Sequence, residues 1–397
     1  MSSSARIRIL TYNKISSEGL GRFPSSLYEV AQDLLDPKAI LLRSHKLRQE
    51  EITDSVVAVA RAGVGVNNIP VDWCTKQGIP VFNAPGANAN AVKELVAAGL
   101  LLGARGIFEG AIFSSTLSNV YDRGDFNKKL EESKRTFRGE ELVGKTLGVV
   151  GLGAIGSLVA EMALTFGMNV IGYDPAISVE AAWRLSSKVK RSDKISSLVA
   201  TSDYLTLHLP AIESTHQIIN QELLSHCKQG ICLLNFARSE IVDVAAVQHA
   251  LESGAVRKYI SDFPEPELMK RSDTIFFPHI GASTKEAETN CAIMAVDQLR
   301  DYIETGNVKN SVNFPDVNLE YVSGCRVAIT NENVPKILGS VLSVFADENI
   351  NVIDMLNKSR DSLAYNLIDL DRSPTASSLG KIEKLDGVSN IRIVAVP

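Results

Sequence analysis

Cysteine is scarce in this chain of 397 residues, and so are the features that mark a metal centre, a secreted protein or a membrane protein. The five cysteines, Cys74, Cys227, Cys232, Cys291 and Cys325, are odd in number and scattered. They form no metal-ligand spacing, and Cys227 and Cys232 do not make a redox pair, so buried reduced thiols are expected. There is no basic excess. A net charge of −5 argues against nucleic acid or anionic membrane as the main partner. The longest apolar run, around Leu95 to Leu102, is too short to cross a bilayer. The opening MSSSARIRIL runs straight into a strand pattern without a signal-peptide apolar region, which predicts a cytoplasmic protein.

What the chain does have is length for two or three domains and one stretch, residues 145–174, that organises the rest. Leu147 to Val150 is a short, β-branched apolar run and reads as a buried strand. Gly151, Gly153 and Gly156 follow as G-x-G-x-x-G, with Leu152, Ala154 and Ile155 between them. The first glycine permits a tight turn, the second lets the backbone approach a pyrophosphate, and the third allows close helix–strand packing. Ser157 to Phe166 reads as a helix with Leu158, Val159, Met162 and Leu164 inward, its positive N-terminal end toward phosphates. A second apolar run ends at Asp174, 18 residues beyond Gly156. A carboxylate there bonds adenosine ribose hydroxyls and repels a 2′-phosphate, which favours NAD over NADP.

Strand patterns recur on both sides of this unit. Before it come Arg6–Thr11, Ile40–Arg43, Val56–Ala60 and Pro80–Asn83, then a long apolar helix from Ala89 to about Ala104 and a mixed-charge connector from Asp122 to Glu141. After it come Tyr204–His208, Gly230–Asn235, Lys258–Ser261 and Thr274–Phe277, alternating with helices. Such alternation predicts a parallel sheet with ligands at the carboxyl ends of its strands. Those ends carry His208 and Pro210, Ala237 and Arg238, Asp262, and His279. A strand-end histidine beside glycine suits general acid–base work, and it equally suits packing on an apolar floor. Arg238 offers a planar fork for a carboxylate, or a surface salt bridge. Glu265 and Glu267 stand near enough in sequence to support the histidine, or form a solvated acidic loop. Beyond Asn310–Pro315 a final stretch reads βαββαβ, a ferredoxin-like unit.

Several segments together resemble the D-isomer-specific 2-hydroxyacid dehydrogenases. They are Arg43-Ser44-His45-Lys46, Arg61 to Ile69, Gly78 to Gly86, the glycine turn, Asn235-Phe236-Ala237-Arg238, Pro278 to Thr284 and Asn310 to Pro315. The C-terminal unit is similar to an ACT domain. The resemblance implies an α/β protein with a flavodoxin-like substrate domain (1–88 and 284–310), a Rossmann NAD-binding domain (89–283) and a ferredoxin-like ACT domain (320–397) used for regulation or assembly. It implies a catalytic set of Arg238, a glutamate and His279 in a hinge cleft. Counted without a gap the glutamate is Glu267; a deletion in this loop places it on Glu265. NAD contacts are implied at Gly151, Gly153, Ala154, Ile155, Gly156, Asp174, His208, Pro210, Phe236, Ala237, Arg238, Asp262, His279, Gly281 and Ala282. Substrate contacts are implied at Arg43, Ser44, Lys46, Arg61, Gly63, Val64, Gly65, Arg238 and His279. The small-molecule substrate expected is 3-phosphoglycerate, oxidised to 3-phosphohydroxypyruvate as the first step of L-serine synthesis. The alternatives are another D-2-hydroxy acid, or an NAD-sensing corepressor, which would need interaction tails that this chain lacks. A homodimer or homotetramer is expected. L-Serine or another amino acid is expected at Asn331, Asn333 and Asn351, although Asn331 stands where the family has histidine and Lys336 where it has glycine.

Overall fold

A computed structural model describes residues 6–394, the Glu180 side chain excepted; the expected start at residues 1–5 and the last three residues lie outside the described residues. The chain divides into two compact units, residues 1–88 with 285–397, and residues 89–284.

The first unit opens with β1 (Ile7–Thr11), α1 (Ser17–Leu20), β2 (Tyr28–Ala31), β3 (Ala39–Leu42), β4 (Ala58–Arg61), α2 (Val71–Lys76) and β5 (Val81–Phe82). All five strands run parallel in the order β2-β1-β3-β4-β5, the flavodoxin-like order. β3 is buried along its whole length, as expected for a strand covered on both faces. β2 lies in a segment with no apolar run, and Ile7 to Leu10 of β1 pair with it at the sheet edge.

The second unit holds α3 (Ala89–Ala104), α4 (Ile107–Thr116), α5 (Arg123–Ser133), β6 (Thr146–Val150), α6 (Ala154–Thr165), β7 (Asn169–Tyr173), α7 (Val179–Arg184), β8 (Lys190–Arg191), α8 (Ile195–Thr201), β9 (Tyr204–Leu207), α9 (Gln221–Ser225), β10 (Ile231–Asn235), α10 (Val244–Glu252), β11 (Val256–Ser261) and β12 (Thr274–Phe276). The sheet is parallel throughout, in the order β12-β11-β10-β9-β6-β7-β8. α3 presses close to β10 because Gly99 and Gly103 face it. A Cβ at Gly99 would stand 2.9 Å from Leu234, and one at Gly103 2.8 Å from the Cys232 sulfur.

Two expectations shift here. The supposed connector at 122–141 contains α5, an exposed helix started by the Asp122 carboxylate, which accepts the Asp125 N–H at 2.8 Å. With charge on every side it buries no residue and shows no apolar stripe. In α6 the buried face is Gly156, Val159, Ala160 and Ala163, while Leu158, Met162 and Leu164 are half-buried. Small side chains let the helix lie close on the sheet, so the larger ones end up at the edge of the contact.

The first unit is completed by α11 (Lys285–Thr305), β13 (Cys325–Glu332), α12 (Ile337–Asp347), β14 (Val352–Arg360), β15 (Leu363–Leu370), α13 (Ala376–Glu383) and β16 (Val388–Val394). The four strands form an antiparallel sheet ordered β14-β15-β13-β16, the ferredoxin-like arrangement. α13 starts at Ala376, where the Thr375 hydroxyl caps it by accepting the Ser378 N–H at 3.1 Å.

This sheet is covered on both faces. Cys325, Val327, Ile329, Ile368 and Leu370 pack under Val341, Phe345 and Ile382. Ala328, Tyr365, Leu367 and Val394 share a core with Tyr302 and Ile303 of α11. β15 is consequently buried at every position. Three polar anchors fasten this face. The Tyr365 hydroxyl donates to the Gly306 carbonyl at 2.7 Å, Arg392 donates to the Tyr302 carbonyl at 2.6 Å, and Arg326 donates to the Thr305 and Leu319 carbonyls at 3.0 and 2.9 Å. The C-terminal sheet therefore groups with the first unit through a common core. Among the described residues no single helix is long and apolar enough to cross a membrane.

Candidate active site

The glycine turn stands between β6 and α6, where the strand order reverses and doubly wound sheets take their ligands. Gly151 has φ +90°, and a Cβ there would lie 2.6 Å from the His208 carbonyl oxygen. A Cβ on Gly156 would collide with the Gly151 carbonyl oxygen. At Gly153, by contrast, a Cβ would meet no atom within 4 Å. Two glycines are thus demanded by the fold, and the middle one only by something that would lie against the helix N-terminus. That pattern fits a dinucleotide pyrophosphate held by the first N–H groups of α6, around Ala154 and Ile155. Gly156→Ala is expected to destabilise the second unit by about 1–3 kcal/mol through overpacking. Gly153→Ala is expected to leave the melting temperature in place and weaken NAD binding by about tenfold or more. Equal NAD affinity in Gly153→Ala, measured by titration of NADH fluorescence, would remove the cradle from this turn.

Asp174 closes the far side of the turn from the end of β7. Its Oδ2 accepts the Leu152 N–H at 2.8 Å and its Oδ1 the Ala176 N–H at 2.9 Å. Each oxygen keeps a lone pair for a ribose hydroxyl. His208, at the end of β9, has Nε2 3.0 Å from the Thr206 hydroxyl. Its Nδ1 is buried with no protein partner among the described residues, a polar atom suited to a bound cofactor. Phe236 and Ala237 are buried, and Pro210 and Ala282 remain accessible at the same sheet edge.

Burial pushes the His208 pKa down from 6.5 to about 3. Between those values an unfolded chain takes up a proton that the folded chain refuses. Stability of the second unit is expected to fall as pH drops through that window, and His208→Gln to flatten this part of the curve. An unchanged urea midpoint against pH profile in that variant would assign the loss to another group.

The strand ends of β10, β11 and β12 bring the chemistry-bearing side chains to one edge. Asn235 shapes the turn after β10, its Nδ2 donating to the Arg238 carbonyl at 2.8 Å and its Oδ1 accepting the Ala237 N–H at 3.1 Å. The half-buried Arg238 donates from Nη1 to the Ala237 carbonyl at 2.6 Å. Asp262, buried at the end of β11, organises the next loop. Its carboxylate accepts the N–H groups of Ile280 at 2.8 Å and Gly281 at 2.7 Å, and its carbonyl accepts that of His279 at 3.0 Å. Burial raises the Asp262 pKa against the pull of those two N–H groups. Gly281 is needed because a Cβ would approach the Asp262 Oδ2 to 2.9 Å. The loop holds His279 at φ +55° with its ring exposed, edge-on to Phe263 at 4.9 Å. Of the two glutamates, Glu265 is half-buried and its pKa is raised, first by burial and then by the charge of Glu267. Glu267 is exposed.

The substrate residues expected in the first unit cluster at the ends of β3 and β4. Arg43 pairs with Glu288 at 2.6 Å, while Ser44 and Lys46 are exposed. Arg61 ties two loops together, donating to the Arg43 carbonyl at 2.9 Å and the Gly65 carbonyl at 2.5 Å. Gly63 leaves room for that guanidinium, and Val64 accepts from Asn83 at 2.6 Å.

The three asparagines singled out for regulation do not meet within the chain. Asn331 is buried in a ladder across the sheet: Asn357 donates to Asn366 at 2.5 Å, Asn366 to Asn331 at 2.7 Å, and Asn331 to the Glu332 carbonyl at 2.6 Å. Asn333 donates to the Asp361 carbonyl at 3.2 Å. Asn351 precedes β14, whose Val352 is level with Leu370 and so with Cys325, at the opposite end of β13 from Asn331. The antiparallel register separates it from the other two, which spacing along the chain does not reveal.

A parallel doubly wound sheet with a glycine turn at its switch point, and an Arg–Asp–His edge beside it, defines a dinucleotide-binding protein of the dehydrogenase type. Residues 115–281 match the model of the D-isomer specific 2-hydroxyacid dehydrogenase NAD binding domain. The chain is 30% identical to D-3-phosphoglycerate dehydrogenase of Haemophilus influenzae, over 92% of this chain and 88% of that protein. It is 32% identical to D-3-phosphoglycerate dehydrogenase of Methanocaldococcus jannaschii over 83% of this chain, and spans only 61% of that longer relative. The NAD+-bound 3-phosphoglycerate dehydrogenase of Entamoeba histolytica superposes with a TM-score of 0.59 at 26% identity, covering 78% of this chain and 99% of that one. The chain belongs to the D-isomer specific 2-hydroxyacid dehydrogenase family and carries its NAD-binding domain.

Proposed function

We propose that the protein oxidises 3-phospho-D-glycerate to 3-phosphohydroxypyruvate with NAD, the first step of L-serine synthesis. The observation that carries this reading is that Arg238, Asp262 and His279 follow the ends of β10, β11 and β12 at the same sheet edge as the glycine cradle, in a chain similar to D-3-phosphoglycerate dehydrogenases. On this reading residues 89–283 hold NAD, residues 1–88 and 284–310 bind substrate, and residues 320–397 serve regulation or assembly.

Arg238 takes the substrate carboxylate, since a guanidinium matches its two oxygens. The exposed imidazole of His279 accepts the C2 hydroxyl proton and returns it in the reverse direction. Glu265 supports His279 electrostatically in preference to Glu267, because its carboxylate is the more buried of the two. When bound, NAD supplies the nicotinamide ring that receives the hydride. Ser44, Lys46 and the Gly63–Gly65 backbone take the rest of the substrate, with Lys46 supplying positive charge for the phosphate.

Two further assignments go with this reading. The exposed Ile107, Phe108 and Ile112 on α4, a helix that buries no residue and follows the Ala89–Ala104 helix, support a homodimer or homotetramer built on that helix region. A stable monomer in a mass measurement would remove it. A cavity of about 330 Å³ between Glu332–Ser340 and Leu385–Gly387 supports an amino-acid effector such as L-serine. The five cysteines, none in a disulfide, go with a cytoplasmic setting.

The test is NADH oxidation with 3-phosphohydroxypyruvate beside glyoxylate, pyruvate and 2-oxoglutarate, with and without L-serine. Preference for the phosphorylated ketoacid is expected. Preference for a small unphosphorylated one would keep the chemistry and change the substrate, and no turnover at all would leave a binding protein.

A further inference from the structure

The loop from Arg43 to Lys46 is fastened by two side chains that belong to none of the roles assigned above. Asn13, just past β1 at φ +68°, turns its Oδ1 toward two successive backbone groups, accepting the N–H of Ser44 at 2.9 Å and of His45 at 2.7 Å. Asn68 works on the same loop with the opposite polarity, its Nδ2 donating to the Arg43 carbonyl at 3.1 Å and the His45 carbonyl at 2.7 Å. The His45 ring is itself committed, stacked on Tyr12 at 4.0 Å with Nε2 3.0 Å from Glu51. Ser44 and Lys46 are the exposed side chains of this stretch. A loop held through both its N–H and its C=O groups presents them in one geometry, so little ordering is left to be done when a ligand binds.

We propose that Asn13 and Asn68 are positioning residues that set specificity for the phosphorylated substrate by clamping the Arg43–Lys46 loop. The proposal rests on the reading of that loop as the substrate's phosphate-side contact. The two asparagines differ in what they must supply. Asn13 acts only as an acceptor, so aspartate replaces it, and aspartate also tolerates positive φ. Asn68 acts only as a donor to two carbonyls, so aspartate there sets negative oxygen against oxygen.

The experiment is steady-state NADH oxidation by Asn13→Gly, Asn13→Asp, Asn68→Ala and Asn68→Asp, with 3-phosphohydroxypyruvate and with glyoxylate. Glycine is used at position 13 because it removes the acceptor without straining the left-handed backbone. Asn13→Gly, Asn68→Ala and Asn68→Asp are expected to raise KM for the phosphorylated ketoacid about tenfold, with kcat, KM for NADH and glyoxylate turnover nearly unchanged. Asn13→Asp is expected to stay close to wild type. If Asn13→Gly and Asn68→Ala keep the wild-type KM, or if both substrates and the melting temperature fall together in all four variants, the clamp is not a specificity device. A wild-type enzyme with no preference for the phosphorylated ketoacid overturns the substrate reading itself, and the proposal with it.

Discussion

Exchange of His279 for asparagine is expected to lower kcat by about 10²–10⁴-fold, the usual worth of a positioned general acid–base. NAD affinity and the melting temperature are expected to hold, because the loop geometry does not depend on the imidazole. Three backbone N–H groups, of His279, Ile280 and Gly281, are bonded to Asp262, and asparagine tolerates the φ of +55° found at this position. The ring itself is exposed against the edge of Phe263 and carries no part of the fold. Turnover at saturating substrate and an NADH titration separate the two effects. A kcat within about threefold of wild type would take the proton-transfer role away from His279. Asp262→Ala offers the contrast: it removes the acceptor for two loop N–H groups and is expected to disturb both turnover and cofactor binding.

The other large effect concerns stability. Arg326 and Asp369 form a fully buried bidentate pair on adjacent strands, with Nε–Oδ1 at 2.7 Å and Nη2–Oδ2 at 2.8 Å. Arg326→Met leaves the Asp369 carboxylate buried without its partner, which is expected to cost the first unit about 3–5 kcal/mol. The double variant Arg326→Met, Asp369→Leu removes the stranded charge and is expected to recover part of that loss. Recovery stays incomplete, because the Thr305 and Leu319 carbonyls also lose their donor, at about 1–3 kcal/mol for a buried group left unsatisfied. Urea unfolding followed by fluorescence of the half-buried Trp73 reports on this unit, since Trp183 lies in the other unit and is exposed. A single variant with the wild-type midpoint, or a double variant no better than the single one, would show that the pair is not what holds this face.

Much of the second unit is legible in the residues alone, and the reason is local. A fully buried parallel strand must be almost wholly apolar, as Ile231–Leu234 and, but for Thr206, Tyr204–Leu207 are, and a glycine turn must follow at once if a helix is to start against a phosphate. The same logic points to Arg238, Asp262 and His279, because each lies within three residues of the end of a strand. Elements that depend on a neighbour are harder to read. β2 has no apolar run and exists because β1 lies beside it. α5 is charged all round and buries no residue, so no period betrays it.

The choice between Glu265 and Glu267 shows the limit most clearly. Both are acids of one short loop, and spacing favours Glu267, yet only Glu265 is drawn into a partly buried setting by the fold of that loop. Asn13 and Asn68 are similar: either reads as an ordinary turn residue, and their joint hold on the Arg43–Lys46 loop appears only once three distant segments meet. Nothing in the local sequence pairs Arg326 with Asp369; the antiparallel register of β13 and β15 and the core shared with α11 make them an interior pair.

By itself, then, the sequence determined the order of most elements, the parallel sheets, the glycine turn, and the arginine and histidine beyond the strand ends, because periodicity, glycine placement and strand termination act over a few neighbouring residues. Only the tertiary structure decided which carboxylate is shielded, which loop is clamped, how far Asn351 lies from Asn331, and that the C-terminal sheet shares a core with the first unit. Burial and long-range hydrogen bonding are properties of packed surfaces, and no residue carries them until its distant neighbours have arrived.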